Sequence, residues 1–290
     1  MAASFLFNIK NFQMNLTKAK RTNTKIKLSL QSLSGAGKSY SSLLLASGLA
    51  DNWSDIAVID TENGASNLYA DLGDFNILHL DKHTPEDYIK AIEFVEKEGM
   101  QVCIIDTISN EWRSVMSIHG SMQTKNTFTR WNQLTPRHDA FVKAIIDSPM
   151  HIIANVRKKQ SYILELENGK QVPKKIGLQP IQRSELSYEF TTVFDLDSEH
   201  KASISKDRTG LFKKEKFIIT KKTGELIRNW CNKGKTINQV KKLIEVAATI
   251  EEAKRIYEAY PTHQKALRSL VVAKGKQINN IKINSNGVSS

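Results

Sequence analysis

The stretch Ser32-Leu33-Ser34-Gly35-Ala36-Gly37-Lys38-Ser39 is where residue type and spacing point most directly to chemistry. Consecutive backbone N–H groups in a glycine-bearing turn that opens a helix converge on a polyphosphate, and the positive end of the helix dipole reinforces them. Gly35 and Gly37 permit close backbone approach, Lys38 is spaced to reach the terminal phosphates, and the Ser39 hydroxyl to join the shell of a magnesium ion. Ser34, Gly35, Ala36, Gly37, Lys38, Ser39 and Tyr40 are therefore the expected nucleotide-binding residues. Ser32 stands where the usual pattern has its first glycine, a departure that costs ~1 kcal/mol if the position requires a positive φ. A glycine turn with an exposed lysine is the plainer alternative.

Acidic residues supply the expected partners. Val102-Cys103-Ile104-Ile105 is an apolar run ending in Asp106, which is placed to share the magnesium ion with Ser39. Ile56-Ala57-Val58-Ile59-Asp60-Thr61-Glu62 ends a second such run, and Glu62 is the expected base for the water that attacks the γ-phosphate, with Asp60 as its structural neighbour. Glu111, five residues beyond Asp106, is the rival base. Asn155 closes a third run, His151 to Val156, where it either contacts the γ-phosphate or the attacking water, or is a buried, satisfied amide. Arg157-Lys158-Lys159 continues from that run, so a phosphate-sensing position leads into a basic loop.

These residues need a scaffold that brings strand ends together. Lys25 to Leu30 alternates as a strand with Ile26, Leu28 and Leu30 on one face, Lys38 to Ala50 reads as a helix, and Ile56 to Asp60 as a second strand. A brief strand at 77–80, a helix at 84–98 started by Pro85, the strand Val102 to Asp106, a helix at 136–147 and the strand His151 to Val156 follow. Such alternation predicts a mainly parallel sheet covered by helices. Beyond Val156 the strands come without helices: a hairpin around Asn168-Gly169, then an antiparallel pair at 189–195 and 201–206. Thr236 to Ala248 and Thr249 to Tyr260 are amphipathic helices that begin like capping boxes, Pro261 precedes a third, and 276–290 reads as a frayed tail. The expected organisation is an N-terminal arm at 1–24, an α/β P-loop domain at 25–230, and a small helical region at 231–290.

The chain has 290 residues, 40% of them hydrophobic, enough to bury a core without disulfides. No apolar run approaches the roughly 20 residues of a membrane helix, and the first residues lack a secretion signal, so a cytoplasmic protein is expected. Its formal charge of +12 is unevenly spread: residues 51 to 111 hold 14 acidic against 3 basic side chains, and the cations gather at 18–27, 157–183 and 201–222. Such polarity suits a polyanionic partner.

The ordered set Lys25-Ile-Lys-Leu-Ser-Leu-Gln with Ser34-Gly-Ala-Gly-Lys-Ser-Tyr, Ile59-Asp-Thr-Glu-Asn-Gly, Ile104-Ile-Asp-Thr-Ile-Ser, His151-Ile-Ile-Ala-Asn-Val-Arg and Ser205-Lys-Asp-Arg-Thr-Gly spans residues 25 to 212. It resembles RecA-like P-loop ATPases, in particular the phage and prophage AAA-type ATP-binding proteins associated with single-strand annealing recombinases. The resemblance implies a RecA-like core, ATP and Mg2+ as cofactors, and Glu62 rather than Glu111 as the catalytic carboxylate. It further implies that the loop at 157–188 faces DNA. Arg157, Lys158, Lys159, Lys174, Lys175 and Arg183 are then the phosphate-tracking residues, with Tyr162 or Tyr188 available for base stacking. Lys206 and Arg208 look like the basic finger that some hexameric and filamentous relatives insert into a neighbour's ATP site, which implies a homo-oligomer; the plainer reading is a basic surface hairpin. Trp112 and Trp131 flank a polar stretch, 114–130, expected either as another DNA-facing loop or as one carrying core anchors.

The expectation is thus an ATPase that handles single-stranded DNA alongside phage recombination or replication proteins. A nucleotide-gated DNA-binding module with little hydrolysis is the alternative. A small-molecule P-loop kinase is weaker, for want of an arginine-bearing lid.

Overall fold

The computed structural model describes residues 21, 24–123, 126–167, 170–232, 237–260 and 263–286. Most of the expected N-terminal arm, the Asn168-Gly169 turn and the Thr236 cap lie outside these residues. In chain order the elements are β1 (Lys27–Ser32), α1 (Lys38–Leu49), β2 (Ile56–Asp60), a 3-10 segment (Ala65–Leu72), β3 (Asn76–His79), α2 (Pro85–Lys97), β4 (Val102–Asp106), α3 (Ser109–Ser121) and α4 (Thr127–Asp147). They continue with β5 (His151–Glu167), β6 (Lys170–Pro180), α5 (Leu186–Glu189), β7 (Thr192–Leu196), β8 (Lys201–Asp207), β9 (Phe217–Ile218), α6 (Lys221–Asn232), α7 (Ile237–Val246), α8 (Ile250–Ala259) and α9 (Gln264–Asn286).

The sheet runs β3-β2-β4-β5-β1-β7-β8-β9, with β6 paired to β5 alone. Its first six strands are parallel, and β8 and β9 turn it antiparallel at one edge. β1 is buried on both faces. Its apolar side, Leu28 and Leu30, packs under α1 and α6, while on its polar side the Lys27 ammonium donates to the Ser148 and Met150 carbonyls at 2.6 and 2.7 Å. A second apolar cluster on the opposite face joins Tyr88 and Ile92 of α2 to Phe141 and Ile145 of α4. The result is a sheet between two helical layers, the arrangement the alternating pattern predicts.

Some segments differ from the sequence reading. The stretch 114–130 is not a DNA-facing loop: most of it belongs to α3 and α4, because Trp112 stacks on Trp131 with ring centres 5.9 Å apart and His119 stacks on Trp131 at 4.6 Å. The tryptophans thus act as interface anchors. β5 runs on to Glu167 instead of ending near Val156, so it projects past the core as half of a two-stranded hairpin. The expected frayed tail is helical through Asn286. α6 follows no clear sequence signal. It crosses α1 so closely that a Cβ on Gly48 would fall on the Lys221 carbonyl, and one on Gly224 on the Leu45 carbonyl. α7, α8 and α9 share a separate apolar cluster around Val240, Ile244, Tyr260 and Leu267. No helix among the described residues is long and apolar enough to cross a membrane.

Candidate active site

Parallel pairing sets the site. Register partners Leu30 and Asn155, Ile105 and Ala154, and Asp60 and Asp106 align the carboxyl ends of β1, β5, β4 and β2 along one sheet edge. β5 lies between β1 and β4, so Asn155 falls between the Gly-bearing loop and Asp106. Ligands of open α/β sheets bind at such an edge.

Gly35 and Gly37 adopt φ 81 and 82, the left-handed region that glycine enters without strain. The His200 ring packs against Gly37, where an added Cβ would come within 2.9 Å of its Nδ1, a second reason for glycine there. No side chain caps α1, leaving its leading N–H groups for an anion. Ser32 shows no strain, since it lies in β1 opposite Arg157, and among the described residues the positive-φ residues other than glycine are Asn63 and His200. Its hydroxyl and the Leu33 carbonyl each accept from the Lys38 ammonium at 3.0 Å, so the lysine bonds back to its own loop. Burial lowers the Lys38 pKa, against the raising effect of Asp106 and Glu62.

Ser39 donates its hydroxyl proton to Asp106, the pair predicted to share a metal. Burial raises the Asp106 pKa, opposed by the Ser39 bond and the Lys38 charge. The donors are hard oxygens, as Mg2+ prefers. Asn155 is fully buried; its side-chain carbonyl accepts from Ser42 at 2.6 Å, while its amide nitrogen has no close hydrogen-bond partner and acts only weakly on Asp106, whose pKa it helps to lower. An unsatisfied buried donor beside the loop and Asp106 fits an added phosphate or metal-bound water.

Asp60 has a role the sequence left vague. It accepts from the backbone N–H groups of Glu62, Gly64 and Ser66, tying down the loop that carries Glu62. Burial pushes its pKa up, yet those bonds outweigh it and the net shift is downward. Glu62 is ion-paired with Arg157, whose Nε and Nη2 lie 2.8 and 2.6 Å from one carboxylate oxygen. Glu111 is fully buried and pairs with His138 Nδ1 at 3.0 Å and the Gln182 amide at 3.3 Å, so it is tied into the α3–α4 packing.

The six predicted phosphate-tracking residues divide. Arg157 pairs with Glu62, Lys158 with Asp195, Lys174 with Glu165, and Arg183 with Asp139 and Glu185. Lys159 and Lys175 are exposed with no ion pair among the described residues, and the hairpin also exposes Tyr162, Ile163 and Ile176. Lys206 and Arg208 lie where β8 meets the start of β7, the sheet edge opposite the Gly-bearing loop, and both donate to the Tyr188 carbonyl. They do not meet the loop of their own chain.

The sequence reading missed Tyr69 and His200. Tyr69 packs edge-on against Tyr40 with ring centres 5.8 Å apart, beside the loop. Neither carries a local signal: His200 reaches the loop because β7 lies next to β1, a long-range pairing.

Fold and loop together define a P-loop nucleotide-binding protein. The profile of the family described as AAA domain matches residues 24–236, and the chain belongs to that family, an ATPase family. No curated protein matches the sequence. One solved structure, described as a prototypical ATPase from the type III secretion system of pathogenic bacteria, is 15% identical over 85% of this chain and 74% of that one, with a TM-score of 0.38, too distant to bear on function.

Proposed function

We propose that this ATPase binds Mg-ATP on residues 34–40, assembles as a homo-oligomer, and couples turnover to single-stranded DNA in phage-type recombination or replication. Ser39 and Asp106 would hold Mg2+, which when bound neutralises charge on the β- and γ-phosphate oxygens. On ATP binding Lys38 exchanges Ser32 and Leu33 for phosphate oxygens, and Asn155 gains the acceptor its amide lacks. Glu62 then orients and deprotonates the attacking water, and Lys206 and Arg208 of an adjacent copy meet the charge that develops.

The observation that carries the DNA link is the Glu62–Arg157 pair. Arg157 stands opposite Ser32 in the sheet and opens the β5–β6 hairpin, so the residue holding the base is also the first cation of the DNA-facing arm. A DNA phosphate that draws Arg157 away frees Glu62. The same pair also favours a second reading: a nucleotide-gated DNA module that hydrolyses little.

ATP turnover with and without single-stranded oligonucleotide distinguishes them. Wild type is expected to be stimulated, and Lys38→Ala and Glu62→Gln to lose ~100-fold or more. Arg208→Ala should lose turnover only under conditions where the protein assembles. Undiminished turnover in Arg208→Ala removes the finger, and tight DNA binding without turnover selects the gated module.

A further inference from the structure

With four of the six predicted DNA cations engaged by carboxylates, the positive charge free to meet a polyanion lies elsewhere, and α9 carries a concentrated share. No acidic residue occurs between Gln264 and Asn286. Lys265, Arg268, Ser269, Val272, Ala273 and Lys276 line one shallow depression. Their spacing of three, four, seven, eight and eleven residues is a single helical stripe, and all six are exposed. The opposite side of the helix is used up: Leu267, Leu270 and Val271 pack against α7 and α8, and Lys274 donates to the Glu245 carbonyl at 2.6 Å. Lys265, Arg268 and Lys276 form no ion pair among the described residues.

We propose that this outward face of α9 is a second nucleic-acid site, gripping the phosphodiester backbone through Lys265, Arg268 and Lys276. The three cations span ~16 Å along the helix axis, about five phosphates of one duplex strand. Ser269 and Ala273 between them are small enough for a sugar–phosphate backbone to lie close. A bilayer is the poorer occupant, because interfacial helices insert aromatic and leucine side chains. Here the leucines face inward and Val272 is the one large apolar group on the stripe. The site is independent of the hairpin reading, since it shares no residue with it.

The test is fluorescence anisotropy of labelled single-stranded and duplex oligonucleotides on the full chain across a salt series, comparing wild type with the triple variant Lys265→Gln, Arg268→Gln, Lys276→Gln. Affinity is expected to fall about tenfold or more at low salt, and the slope of log K on log salt to flatten by ~2 on single strands and ~3 on duplex, for three lost contacts. Turnover without DNA should be unchanged. A second variant, Ser269→Glu with Ala273→Glu, keeps the cations and should weaken binding by placing carboxylates between them. Lys159→Ala with Lys175→Ala reports on the hairpin separately, and its effect should add to that of the triple variant. Unaltered affinity and slope in both α9 variants overturn the proposal. So does wild-type binding of polyglutamate, or of phosphatidylglycerol vesicles, as tight as that of the oligonucleotides.

Discussion

At Arg157 one guanidinium touches the proposed base, Glu62, on the strand that runs on into the hairpin. A partly buried pair of this kind is worth ~1 kcal/mol, about fivefold in a rate that depends on breaking it. Arg157→Ala should therefore raise turnover without DNA by about that factor and shrink the stimulation DNA provides, measured in the same assay. Loss of turnover in both conditions would instead put the guanidinium in the chemistry. His151 offers a test of stability. Burial, then the charges of Lys25, Lys27 and Arg228, depress its pKa to about 3, and its Nδ1 accepts from the Ile26 N–H at 3.2 Å. The unfolded chain takes up this proton near pH 6.5, the folded chain not until about 3. Stability is thus fully present above about 6.5 and drains as pH falls toward 3, by a few kcal/mol in all. Urea midpoints from pH 7.5 to 4.5 should decline, less steeply in His151→Gln.

Among the elements, α1 and α6 meet through Gly48 and Gly224 with no room for a side chain. Gly224→Ala forces backbone against backbone and should destabilise by ~3 kcal/mol, lowering the melting temperature by roughly 6–12 °C. Gly120→Ala, in α3 with open space around it, is the matched control and should be neutral or slightly stabilising. This crossing also marks where sequence reading stops. β2, β4 and the start of β5 are legible because a buried parallel strand is a short apolar run ending in a polar residue, and those ends are Asp60, Asp106 and Asn155. α1 is legible because the loop before it is. α6 is not, because what fixes it is a pair of glycines 176 residues apart. The Glu62–Arg157 pair and the His200 contact were hidden likewise, since each joins segments brought together only by strand order. β5 was cut short because its polar continuation past Val156 pairs with β6 outside the core, where no apolar alternation is needed.

For the molecule as a whole, the sheet separates two groups of residues: the proposed phosphate-binding residues line one edge, and Lys206 and Arg208 the other. If Lys206 and Arg208 act as the proposed finger, a chain built this way completes a site only by stacking on another copy. Sedimentation with a nonhydrolysable ATP analogue and oligonucleotide should give multiples of 32.7 kDa. A monomer under every condition, together with full turnover in Arg208→Ala, would dismiss assembly. The contact between Gly48 and Gly224 bears on how such a stack could work. At that crossing point main chain meets main chain and there is no rotamer to readjust, so the helix behind the P-loop has a fixed rear mount. A nucleotide bound there as proposed would be held as in a vice with one stationary jaw. In the proposed cycle the part that moves is then Arg157 on its strand, because the Asp60–Ser66 loop that carries Glu62 is itself pinned by Asp60.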